Sequence, residues 1–152
     1  MIDSKLLLQE DDAKKLRSQY LRTFVDVQSD YYQSHISKTE LFRDGLCYRG
    51  YLWDCLHHPR VISEERALQM ICRERSVYVM WDIHSCENIL KPDYWKYPKD
   101  AVLCLDPNTL SELLPKLPED VYFFNSGFSW TVALTHEILD KAGRYCVCSF
   151  AD

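Results

Sequence analysis

Along residues 11–31, apolar side chains recur every three or four positions as Ala13, Leu16, Tyr20, Phe24, Val27 and Tyr31. Lys14, Lys15, Arg17, Arg22, Asp26 and Asp30 fall between them. That period predicts an N-terminal amphipathic helix from Asp11 to Tyr31 with one side on a core. Residues 46–56 fit two patterns, a helical stripe of Tyr48, Tyr51, Leu52 and Cys55 or an irregular strand through Leu46, Tyr48 and Gly50 to Leu52. We read the segment as helix, ended by His57-His58-Pro59, because the residue before proline is pushed out of helical space. Ser63 then predicts an N-cap for a helix from Glu64 to Arg73, with Ala67, Leu68, Ile71 and Cys72 as its buried stripe and acidic residues in its first turn.

The second half reads mainly as strands. Residues 76–84 are rich in β-formers and apolar on both alternations, which predicts a strand covered on both faces. A short strand at Ala101 to Leu105 is followed by Asp106-Pro107, an N-cap and first-turn proline for a helix through Leu110, Leu113 and Leu114. Val121 to Phe124, Asn125-Ser126-Gly127 and Ser129 to His136 spell a hairpin, and Arg144 to Phe150, entered through Gly143, reads as the last strand. Helices first and consecutive strands last predict an α+β fold, a mainly antiparallel sheet of about five strands with helices packed on one face. No internal repeat or linker divides residues 1–152, so one globular domain is expected.

Composition narrows the classes of function. With 47% hydrophobic residues and 27% charged, the chain can bury about two-thirds of its surface and needs no staple. A net charge of −5, with basic residues interleaved among Asp and Glu, predicts no nucleic-acid partner, since phosphate contacts need clustered Lys and Arg. The same acidic excess favours a basic protein partner by steering. No apolar run reaches the roughly 18 residues of a spanning helix, which predicts no membrane association. Met-Ile-Asp-Ser-Lys lacks the basic start and apolar run of a signal peptide, and the seven cysteines are odd in number. Reduced thiols and a cytoplasmic protein are expected.

Candidate chemistry is sparse. Four scattered glycines form neither a P-loop nor a dinucleotide fingerprint, and no nucleophile motif is present, so no cofactor is expected. On a strand, Trp130, Val132, Leu134 and His136 share one side while Ser129, Thr131, Ala133, Thr135 and Glu137 share the other. His136 therefore ends an apolar row. With Glu137 beside it, it could act as a general base, although strand neighbours point to opposite faces and Glu137 is badly placed to orient it. The plainer reading is a histidine satisfied by backbone or a nearby Tyr. Cys146 and Cys148 share a strand face and could join His84 and Cys86 around a metal, but buried small side chains explain the spacing as well, and no metal is expected. Tyr94, Trp95 and Tyr97 form an aromatic connection, and with the Thr131 and Thr135 face they are the candidate binding residues, because exposed aromatics are typical interface anchors.

Tyr51-Leu52-Trp53, the Glu65-Arg66-Ala67 helix start, and Asp120-Val121-Tyr122-Phe123-Phe124 through Phe128-Ser129-Trp130-Thr131 to Thr135-His136-Glu137 resemble the uncharacterised bacterial proteins grouped as domain of unknown function 4275. The likeness spans most of the chain after Phe42. It departs at Gly143-Arg144-Tyr145-Cys146, where the family tends to a Gly-Pro-Tyr-Phe type of ending. The resemblance implies a small intracellular bacterial domain and brings no assigned activity. In general character the chain is also similar to immunity proteins that mask toxin enzymes. The expected function is a noncatalytic domain that binds another macromolecule, with an immunity-type inhibitor as one form of it. The alternative is a small hydrolase-like enzyme or metal-binding protein with His136 in its site.

Overall fold

The computed structural model describes residues 6–42, 45–84 and 98–151. In chain order its elements are α1 (Glu10–Phe24), β1 (Glu40–Phe42), β2 (Gly45–Cys47), β3 (Arg60–Ile62), α2 (Glu64–Cys72), β4 (Val77–Trp81), β5 (Leu103–Leu105), α3 (Leu110–Leu113), β6 (Val121–Phe124), β7 (Trp130–Leu139) and β8 (Gly143–Phe150). A π-helical turn at Tyr32–Ile36 and a 3-10 turn at Leu52–Asp54 join them on the N-terminal side. The fold is α+β. Six strands form one sheet in the order β3-β8-β7-β6-β4-β5, every neighbouring pair antiparallel, and β1 and β2 form a separate hairpin.

Alternation along the central strands puts an apolar row on each face of this sheet. Val121, Phe123, Val132, Leu134, Cys146 and Cys148 pack with α2 and α3. Tyr122, Phe124, Ala133, Met80 and Val147 pack with α1, with Ile36 and with the 48–56 segment. Helices therefore lie on both faces and not on the one face that the sequence suggests. The reason is in β6 and β7, whose two alternations are both apolar or internally bonded, so each face needs a cover.

Several local expectations hold. Ser63 Oγ accepts the Arg66 amide as the N-cap of α2, and Asp106 accepts the Asn108 amide ahead of Pro107. β6 and β7 pair as the expected hairpin, with Val121 opposite Leu134 and Phe124 opposite Thr131. Two expectations fail for one physical reason, that pairing to distant backbone outbids the local pattern. The first helix stops at Phe24, not Tyr31, because Val25 turns extended and bridges Leu56, while the Asp26 amide donates to Cys55 at 2.8 Å. Residues 46–56 are not a helix but the end of β2 followed by the single 3-10 turn. Within α2, Met70 is buried where Cys72 was expected, and Cys72 is exposed. No helix among the described residues is long and apolar enough to cross a membrane.

Candidate functional site

The residues that could carry function gather where β4 and β6 meet the 48–54 segment, and a buried carboxylate holds them there. Asp82, just past the end of β4, is 3% exposed. Its Oδ1 accepts the Tyr48 hydroxyl at 2.8 Å and the Leu52 amide at 3.0 Å, and its Oδ2 accepts the Tyr122 hydroxyl at 2.8 Å. Tyr122 in turn accepts the Trp53 amide at 3.0 Å. Burial pushes the Asp82 carboxyl up to about 6, against the pull of His84 and of its three donors. Two residues on, His84 Nε2 donates to the Gly50 carbonyl at 2.7 Å. The Tyr51 amide donates to the Tyr31 hydroxyl at 3.0 Å. A turn with little intrinsic helical preference is thereby clamped at four consecutive residues, and Tyr51 is left half-exposed above it.

Tyr51 is the hub of a ring cluster. His84 meets it edge-on at 5.1 Å between centroids, His136 lies at 5.5 Å, and Trp53 stacks on it at 5.1 Å. Trp53 continues to Tyr145 at 5.7 Å. Carboxylates surround the rings. Burial first, then the charges of Asp120, Asp82, Asp54 and Glu137, raise the Tyr51 phenol above its usual range. Asp54 is raised as well, by burial and by Glu137, and is partly relieved by a hydrogen bond from Tyr31. Among the described residues no Lys or Arg pairs with Asp54, Asp120 or Glu137. The surface is therefore aromatic at its centre and negative at its rim.

Asp120, like Tyr51, entered the sequence reading only as a motif residue and not as a site residue. Its carboxylate accepts the His136 amide at 2.9 Å and lies 3.0 and 3.1 Å from His136 Nδ1. This pairing, ahead of a smaller opposing effect of burial, raises the His136 pKa above its ordinary 6.5. The signal was the hairpin register, since Val121 opposite Leu134 puts Asp120 beside the extension of β7 that carries His136. Trp130, Val132 and Leu134 are buried, but the His136 side chain at the end of their row is 39% exposed. It leaves the core because β7 outruns β6 there, and the ladder to β8 shifts register between Leu134 and Ile138. Glu137 is exposed too, and its amide donates to Thr135 Oγ1 at 3.2 Å.

The expected Thr131 and Thr135 surface is corrected. Both residues are fully buried. Thr131 Oγ1 accepts the Tyr20 hydroxyl at 2.8 Å and donates to the Phe123 carbonyl at 3.0 Å, while Thr135 donates to the Tyr145 carbonyl at 2.8 Å. α1 and the 48–56 segment cover the face on which they stand. Tyr94, Trp95, Tyr97 and Cys86 lie outside the described residues. The His84, Cys146 and Cys148 part of the considered metal set does not converge. Both thiols face the α2 side of the sheet, whereas His84 packs against Tyr48 and Tyr51 on the other. Burial pushes Cys146 up to about 12, the direction opposite to a thiolate ligand. No group of three or more metal-capable side chains occurs among the described residues. No protein-family model, no curated protein and no solved structure matches this chain.

Proposed function

We propose that this protein is a noncatalytic binding domain whose Tyr51-centred surface takes a basic segment of another protein. The observation that carries this reading is the convergence of the Tyr51, His84, His136 and Tyr145 rings over the buried Trp53, inside a rim of Asp54, Asp120 and Glu137. Aromatic faces attract Lys and Arg, and carboxylates with no Lys or Arg partner among the described residues steer and orient them. An immunity-type inhibitor masking a basic toxin enzyme is the kind of protein such a surface suits. Affinity capture from the source cells tests it. The wild-type chain should retain one basic protein in stoichiometric amount, and Tyr51→Ala or Asp54→Asn with Glu137→Gln should lose it. Recovery of no partner, or equal recovery with these variants, contradicts the proposal.

Two further parts of the reading go with it. We infer membership of the family called domain of unknown function 4275, supported by the structural work its quoted residues do in three separate places: Asp120 pairs with His136, Tyr122 bonds Asp82 and the Trp53 amide, and Thr131 bonds Tyr20. A bacterial cytoplasmic setting suits the free thiols of Cys55 and Cys146 in their apolar surroundings.

A second reading is favoured by the Asp120 pairing alone. A carboxylate on Nδ1 fixes the imidazole with Nε2 as its basic nitrogen, the arrangement of a general base in hydrolysis. It predicts a turnover that rises with pH as His136 loses its proton and that Asp120→Asn reduces by 10²-fold or more, about the general-base contribution. Release of product from ester and amide substrates at the rate of buffer alone contradicts it.

A further inference from the structure

A concavity opens on the α1 side, bordering the segment that carries Tyr51 but not lined by Tyr51 itself. Its volume is about 230 Å³. Leu21 of α1, Ile36 of the π-helical turn, Leu52, Met80 near the end of β4 and Ile83 give it apolar walls, hydroxyl-bearing Tyr32, Ser37, Thr39 and Tyr48 complete the lining, and among the described residues Arg17 is its one charged member. The floor is rigid, since Leu52 and Met80 are each 1% exposed and Leu52 is held through its amide by Asp82. An apolar hollow of this size needs an occupant with an apolar body. An engineered cavity of about 150 Å³ accepts benzene, so in proportion this one suits a body of roughly nine non-hydrogen atoms.

Arg17 says what the polar end of that occupant must be. Both its terminal nitrogens donate to a single neutral acceptor, the Trp81 carbonyl, at 3.2 Å each. Those bonds hold the guanidinium in place without cancelling its charge. Among the described residues no carboxylate forms an ion pair with it. A guanidinium carries five N–H donors in a planar fork, so donors remain for a planar anion. We propose that this cleft binds a small apolar monocarboxylate, its hydrocarbon body among Leu21, Ile36, Met80 and Ile83 and its carboxylate on Arg17.

Octanoate, with octanol as a probe of the same body, tests this by methyl-labelled NMR titration near neutral pH. Octanoate should shift the methyl signals of Leu21, Ile36 and Ile83 saturably. Octanol should bind at the same methyls roughly tenfold more weakly or worse, the loss of one charge-assisted contact. Arg17→Gln should bring octanoate down to the affinity of octanol without altering octanol. Arg17→Lys, which keeps the charge, should keep part of the preference. Equal affinity of octanoate and octanol for the wild-type chain overturns the proposal without need of any variant, and so does the absence of saturable shifts at those methyls. Unchanged octanoate binding in Arg17→Gln overturns it as well. None of these results depends on whether the Tyr51 surface binds protein.

Discussion

Burying Asp82 among two phenols and a backbone amide trades hydration for three donated hydrogen bonds, and the trade is incomplete, since its pKa still rises from 3.8 to about 6. The native state then holds the proton more tightly than the unfolded chain. Stability due to this residue is greatest below pH 4 and is lost as pH rises to about 6, a total of about 3 kcal/mol. Urea unfolding of wild type and Asp82→Asn across that range should show the stability difference moving in favour of the variant by about this amount. A difference independent of pH would mean that Asp82 stays charged throughout. A second residue-scale test lies at Tyr20 and Thr131, both fully buried. Because Thr131 gives its proton to Phe123, Tyr20 is the donor of the 2.8 Å bond between them. Thr131→Val should cost about 1–3 kcal/mol by leaving that phenol unsatisfied. Adding Tyr20→Phe should recover part of the loss, which a double-mutant cycle measures.

At the scale of elements, the 48–54 segment decides where the site is. Gly50 permits its close approach to the π-helical turn, because a Cβ there would meet His35 Cβ at 2.9 Å, Ile36 Cδ1 at 3.0 Å and the Tyr31 hydroxyl at 3.0 Å. Gly50→Ala should push this turn outward, destabilise the chain by about 1–3 kcal/mol as overpacking does, and shift the Tyr31 and Tyr51 ring signals in NMR. Wild-type stability and spectra in that variant would show that the approach is not tight. The same segment marks what the sequence could disclose. The β6–β7 hairpin, the Ser63 cap and the Asp106-Pro107 start are written in residues close together in the chain, and all were legible. The segment around Tyr51 is held by bonds to Asp82 and Tyr122 across 30 and 69 residues, which no local period reveals. His136 was legible as a candidate, but Asp120 became its partner only through strand register. Thr131 and Thr135 looked like an outer face because nothing in their alternation announces that α1 lies over them.

For the whole molecule, the proposed binding role has the formal charge of −5 and the negative rim about Tyr51 act together, the first to draw in a basic partner and the second to orient it. His136 modulates this. Its pKa is raised above 6.5, so in mildly acidic solution the ring is positive and offsets part of the Asp120 charge. Affinity for a basic partner should therefore rise as pH passes upward through the raised His136 pKa, and His136→Gln should flatten the profile in a binding titration. Ionic strength should weaken the same complex by screening the carboxylates. The most direct measurement is carbodiimide coupling in lysate of the source cells followed by mass spectrometry. It joins carboxylates to lysines only where they touch. We predict that Asp54, Asp120 or Glu137 is joined to lysines of one basic protein, and that Tyr51→Ala abolishes the links. Links confined to other carboxylates, or none at all, would contradict a protein-binding role for this surface.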